Sequence, residues 1–215
     1  MINTCSYKNF NTELYKGVSV SGNRGKDVGY CGACYQVLAP KRSFWETWHE
    51  NIGILSEEEN TKYYIEQYYL EVLSKLDPEE IYRELDCSFL LCYEDSMEFC
   101  HRHIIAAWLE ILLNIEVSEV KVNGLYIERV ERPSYIKEYL EEIMKTYKDM
   151  RGFNSLCALY LFEQSEELEK EASLLEETTG DYFDELRQEA CFLRSQADEE
   201  EEKYKFIRKK TKYYQ

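Results

Sequence analysis

Basic side chains are in short supply in this chain. Its 215 residues carry 26 lysines and arginines against 42 aspartates and glutamates, a formal charge of −16. An acidic surface of this kind repels phosphate backbones, which excludes a general nucleic-acid-backbone binder. Long apolar runs are also missing. The longest, around Ile104 to Leu113, is too short to cross a bilayer, so no membrane-spanning helix is expected. The first residues, Met1-Ile-Asn-Thr-Cys-Ser6, offer no basic flank followed by an apolar stretch, so no signal peptide is expected either. There is no internal repeat, no G-x-x-x-x-G-K-[ST] phosphate loop, no six-residue dinucleotide glycine fingerprint, no His-Glu-x-x-His and no Ser-His-Asp spacing. These absences remove function classes without naming a reaction.

What is present suffices for a core, since 44% of the residues are apolar. The eight cysteines are Cys5, Cys31, Cys34, Cys87, Cys92, Cys100, Cys157 and Cys191. Without an export signal, and with Cys87, Cys92 and Cys157 inside apolar stretches, they read as reduced thiols of a cytoplasmic protein.

Gly17-Val-Ser-Val-Ser21 is a β-branched run that predicts a strand, and the glycine-bearing stretch after it predicts a loop running through Cys31-Gly-Ala-Cys34 to Leu38-Ala-Pro40. A short helix is expected around Trp45 and Trp48. Ser56 before three glutamates reads as an N-cap, and apolar positions from Ile65 to Leu76 recur at helical spacing. Asp77-Pro78 ends that helix and starts another, finishing near Leu85. Ser88 to Tyr93 is apolar without alternation, the mark of a strand buried on both faces, as between two layers of helices. A buried helix follows over Phe99 to Leu113, then two short strands turning at Asn123-Gly124. After Pro133 there is no proline, and only Gly152 and Gly180 interrupt three helix-length segments. The expected fold is therefore α/β, a small mainly parallel sheet flanked by helices over residues 1–132. An acidic α-helical extension, a hairpin or small bundle, follows over 133–215.

Chemistry-bearing residues concentrate between Leu90 and Leu109. Glu94 falls just past a buried strand, and Cys100, His101, Arg102 and His103 open the next helix. In open α/β sheets ligands bind beyond the carboxyl ends of strands, near helix N-termini. Glu94, Cys100 and His101 are the candidate catalytic residues, with Glu94 or His101 carrying a proton and Cys100 a candidate nucleophile. Ser21, Arg24 and Arg102 are the candidate ligand-binding residues, Arg102 through a bidentate grip on an anion. Successive helical side chains point about 100° apart, so all four cannot face one ligand. The bland alternative is that the thiol packs and the histidines hydrogen-bond within the fold.

Leu91-Cys-Tyr-Glu94, then Phe99-Cys-His-Arg-His103 and Trp108-Leu109, resembles the signature of a prokaryotic family catalogued as domain of unknown function 488. Val18-Ser-Val-Ser21, Leu38-Ala-Pro40, Tyr68-Tyr69 with Val72-Leu73, and Leu76-Asp77-Pro78 match in the same order, covering roughly residues 1–120. The resemblance implies a compact α/β domain and carries over Ser21, Leu38-Ala-Pro40, Glu94, Cys100, His101 and Arg102. It implies little about activity. Cys31-x-x-Cys34 and the helical extension fall outside it.

Cys31, Cys34, Cys100 and His103 have pair spacings suited to a zinc site, although the stretch between the pairs is far longer than in a zinc finger. Two simple loop cysteines are the alternative to a metal or redox pair at Cys31 and Cys34. The 19 tyrosines fall mostly at helical spacing and read as packing. Two functions remain in view. One is a small enzyme or ligand-binding domain for a small anionic or nucleotide-like ligand at the strand C-terminal ends. The other is a protein-interaction module, or a self-associating one, acting through the acidic helical extension with the α/β domain as scaffold.

Overall fold

A computed structural model describes residues 1–11, 13–151, 156–179 and 183–212, with side chains at 149–151, 156–157 and 203–212 left aside. They fall into two compact units, Met1–Glu142 and Ile143–Gln215, a division that lies within a helix, Tyr135–Arg151. Among the described residues no helix is long and apolar enough to cross a membrane.

The first unit is the expected α/β domain. Its strands are β1 (Asn3–Ser6), β2 (Gly17–Ser19), β3 (Ala33–Cys34), β4 (Phe89–Cys92), β5 (Ser118–Asn123) and β6 (Tyr126–Arg129). They form one sheet in the order β3-β2-β4-β1-β5-β6, parallel throughout except for the β5–β6 hairpin. The helices are α1 (Arg42–Glu50), α2 (Glu57–Glu71), α3 (Pro78–Glu84), α4 (His101–Leu113) and α5 (Tyr135–Arg151). Local chemistry sets their ends. Ser56 accepts from the Glu59 amide while the Glu59 carboxylate answers the Ser56 amide, a complete capping box. Asp77 accepts from the Glu79 and Glu80 amides, with Pro78 opening α3. Asn123-Gly124 turns the hairpin, Gly124 at φ +62°.

β4 is the buried centre of the sheet, all four residues enclosed. Side chains alternate across a strand, so Phe89 and Leu91 take one face and Leu90 and Cys92 the other. Phe89 and Leu91 join Cys5 of β1 and Val120 of β5 in a cluster covered by Tyr7, Phe10, Tyr15 and Tyr30. On this face the side chains of the segments after β1 and β2 supply the cover. α4, apolar almost all round, lies against β1 and β4 and touches α2 and α3. Thr4, Leu90, Cys92 and Glu119 therefore share the face to which α4 brings its side chains. β1 was not anticipated, because four residues of which three, Asn3, Thr4 and Ser6, are polar carry no strand pattern of their own. β4 and β5 on either side hold it. Cys87, expected inside an apolar stretch, is exposed, at φ +57° in the turn before β4.

In the second unit α6 (Leu156–Thr179) and α7 (Asp184–Lys212) pack as a hairpin. Ala158, Ala172, Ala190 and Ala197 are buried, small side chains that let helices approach closely. Arg187 pairs with Glu169 at 2.8 Å and Glu176 at 2.6 Å, and Arg194 donates to Ser165 Oγ at 3.2 Å. The helix breaks expected at Gly152 and Gly180 lie outside the described residues.

The loop after β2 is held by Gly25, at φ +74°. A Cβ there would lie 2.7 Å from the Tyr7 ring and 2.8 Å from Tyr30 Cβ. Gly25→Ala is expected to cost about 1–3 kcal/mol through the left-handed backbone alone, with the clash added. Urea denaturation checks this, and an unchanged midpoint would contradict the packing described.

Candidate functional site

The site is built where β4 ends and α4 begins. Cys92, the last residue of β4, points to the α4 face by strand alternation. The loop then turns on itself: Asp95 N donates to Glu98 Oε2 at 2.7 Å and Ser96 N to Asp95 Oδ1 at 2.9 Å. Cys100 is the N-cap of α4, in extended backbone, and His101 is its first helical residue. From here the rotation of the helix sends consecutive side chains to different destinations.

Arg102 and His103 turn inward to Glu119 on β5. Arg102 Nη2 donates to Glu119 Oε1 at 2.9 Å, its Nε to Oε2 at 3.3 Å, and Nη2 also to the Asp95 carbonyl at 3.1 Å. His103 Nε2 lies 3.3 Å from Glu119 Oε2. Arg102 and Glu119 side chains are 0% and 1% exposed. The expectation that Arg102 grips a ligand is therefore corrected: its guanidinium faces Glu119, Asp95 and, at 3.8 Å, Glu94. Its role is to tie α4 to the sheet. Burial pushes the Glu119 carboxyl up, but the close His103 ring and the Arg102 guanidinium outweigh it and hold the group below its ordinary 4.5.

Cys100 and His101 turn the other way, toward the loop after β2. His101 Nε2 is 3.0 Å from the Val20 carbonyl; Cys92 Sγ lies 3.7 Å from Nδ1 and 3.9 Å from Nε2, and Cys100 Sγ lies 4.0 Å from Nδ1. Ser21 is buried in a hydroxyl chain with Tyr7 and Ser19, at 3.0 and 3.1 Å. Asn23 bonds to Tyr93 from the β4 loop, so the two loops join directly. Arg24 does not reach inward. It is exposed, held at φ +65°, and absent from the cleft, which corrects its expected ligand-binding role.

The two loops and α1 enclose a cleft of about 680 Å³. Ser21, Glu94, Cys100 and His101 line it, as do Cys92, Asn23 and Tyr93. Trp45, Trp48, Tyr64 and Phe99 form an aromatic wall, Tyr64 lying 5.4 Å from Trp48 and 5.2 Å from Phe99 between ring centroids. Arg42, in the first turn of α1, is the guanidinium on the rim. The sequence reading missed the tryptophans as lining residues and missed Cys92. The strand alternation in β4, which separates Cys92 from Leu91, was the available signal for the latter.

The electrostatics of the cleft floor are unusual. Burial opposes ionisation of Cys100, but a hydrogen bond from Cys92 and the charges of Arg102 and His101 outweigh it and hold the thiol well below its ordinary value. Cys92 is pushed well up by burial and by its neighbour Cys100. Glu94 is half-buried, and burial with the adjacent Cys100 pushes its carboxyl up to about 7.

The proposed zinc ligands Cys31, Cys34, Cys100 and His103 do not come together. Cys31 and Cys34 are exposed, Cys34 on edge strand β3, while Cys100 is buried and His103 faces Glu119. Among the described residues the thiols and imidazole that do cluster are Cys92, Cys100 and His101. No family model, no curated protein and no solved structure matches the chain.

Removing either partner of the buried pair, by Arg102→Ala or Glu119→Ala, is expected to cost about 3–5 kcal/mol, because a desolvated charge is left uncompensated. Chemical denaturation measures it, and a loss below about 1 kcal/mol would contradict the clamp. The pH dependence has a definite sign. Glu119 has a folded pKa below 4.5, so its contribution is present above that pH and is lost as pH falls through the lower folded value. Acid unfolding followed by circular dichroism should show this limb flattened in Glu119→Gln.

Proposed function

We propose that the unit Met1–Glu142 is a small enzyme or ligand-binding domain whose cleft takes a small nucleotide-like molecule. The carrying observation is the convergence of the Ser21–Asn23 loop, the Glu94–His101 segment and the tryptophan wall on one cleft. Its volume lies within the range of roughly 300–1,000 Å³ usual for small-molecule sites. An aromatic wall with a few polar groups suits a planar ring, since ring stacking is worth about 1–3 kcal/mol. Ser21, Asn23 and Glu94 offer the ring's polar edge hydrogen-bond partners. With Arg24 and Arg102 directed elsewhere, an anionic substituent would meet Arg42 at the rim, in competition with Glu46, whose Oε1 lies 2.6 Å from the Arg42 Nε.

The resemblance to the domain of unknown function 488 family belongs to this proposal. Of its matching residues, Ser21, Pro40, Glu94, Cys100 and His101 line the cleft, while Leu38, Ala39 and Arg102 do not. That coincidence supports the reading and leaves the reaction open.

Two of the three tryptophans line the cleft, so intrinsic fluorescence reports on occupancy. Titration with adenosine monophosphate and adenosine should quench it saturably, with the monophosphate favoured and inorganic phosphate alone silent. Trp45 is exposed on the wall, and Trp45→Ala should weaken binding about tenfold or more without lowering stability. Failure of both nucleoside and nucleotide to bind, or an unaltered Trp45→Ala affinity, overturns the proposal.

A further inference from the structure

The closed end of the cleft brings together three atoms with the chemistry of zinc ligands. The Cys92 and Cys100 sulfurs and the His101 imidazole nitrogen lie within 4.8 Å of one another. We propose that Cys92, Cys100 and His101 bind one Zn²⁺ ion, with Glu94 beside its fourth position.

The distances suit the ion. With Zn–S of about 2.3 Å and Zn–N of about 2.0–2.1 Å, tetrahedral ligands stand about 3.6–3.8 Å apart. The sulfurs stand 3.7 and 4.0 Å from His101 Nδ1, and Cys92 Sγ is also 3.9 Å from Nε2, so seating the ion takes a turn of the ring or of the Cys92 side chain that moves this sulfur about an ångström toward the Nδ1 lone pair. His101 Nε2 donates to the Val20 carbonyl at 3.0 Å, which leaves Nδ1 as the nitrogen with a lone pair for a metal. Metal-bound histidines are held by such an outer hydrogen bond.

The placement follows from secondary structure. Cys92 comes from the α4-facing side of β4, and Cys100 and His101 from the cap and first residue of α4. Rigid elements thus supply all three ligands. All three are buried, Cys92 and Cys100 only 2% exposed. Two buried thiolates need a compensating charge, and one dication balances them. Soft thiolates with imidazole select zinc over the oxygen-seeking divalent ions. Glu94 lines the same cleft as both thiols, and its Oε2 is buried without a hydrogen-bond partner, a carboxylate oxygen left over for the remaining coordination position. Three protein ligands with one further position is the pattern of catalytic rather than structural zinc. On this assignment Cys100 is a ligand and not a nucleophile.

The test uses the full chain under reducing conditions. Titration with Zn²⁺ against a chromogenic chelator should show one equivalent bound. Co²⁺ in its place should give thiolate-to-cobalt charge transfer in the near ultraviolet and intense visible bands of tetrahedral cobalt. Cys92→Ser and Cys100→Ser should each weaken zinc binding more than about 100-fold, beyond the loss of roughly 10–100-fold typical of an outer-shell change. The double variant Cys31→Ser/Cys34→Ser should keep full stoichiometry. No stoichiometric zinc, a cobalt spectrum without the thiolate band, or loss of the site in the Cys31/Cys34 variant overturns the assignment. If Cys92→Ser or Cys100→Ser fails to fold, the wild-type cobalt spectrum alone decides. Metal binding does not require the nucleotide-like ligand, so either reading can fail while the other stands.

Discussion

The step of about 100° between consecutive side chains in the first turn of α4 is the constraint on which the rest of the site depends. Cys100, His101, Arg102 and His103 are adjacent in sequence, yet they cannot share one surface. Cys100 and His101 turn to the loop after β2, where the Val20 carbonyl fixes the imidazole. Arg102 and His103 turn to Glu119 on β5. One helix terminus thus performs two tasks: half of it builds the cleft floor, and half anchors the helix that carries it.

The anchoring half explains why the floor can be stiff. A buried guanidinium is costly unless paired and hydrogen-bonded. Glu119 and the Asp95 carbonyl provide partners, and Asp95 is itself part of the loop between Cys92 and Cys100. The same arginine therefore ties helix, strand and loop together around the cluster of sulfur and nitrogen. Glu94 lies 3.8 Å from it on the other side. A charge buried this way serves position more than affinity, which is why it is hidden from the cleft although its sequence neighbours line it.

Much of the fold was legible because its signals are local. The Ser56 N-cap, Asp77-Pro78, the apolar run of β4 and Asn123-Gly124 each specify an element within a few residues. β1 and the two-residue β3 were not legible, since each is a strand only by virtue of its neighbours. The candidate site was legible in part for the same reason. Ser21, Glu94, Cys100 and His101 do meet, because strand C-termini and a helix N-terminus bring them to one rim of the sheet. The partner of Arg102 was not, because Glu119 lies 17 residues further on and across the sheet. Nor was the separation of Cys31 and Cys34 from the thiols that cluster, which depends on β3 forming at the sheet edge. Spacing suggested a zinc set, and tertiary placement redistributed its members.

The chain has three histidines, so selective isotope labelling resolves each ring. Nuclear Overhauser contacts from the His101 and His103 rings test the division of the α4 terminus most directly. The His101 ring should contact Val20 and the Tyr68 ring, whose centroid lies 5.9 Å away, and the His103 ring should contact Glu119 instead. Two rings with a common set of neighbours, or a His101 ring against Glu119, would contradict the account.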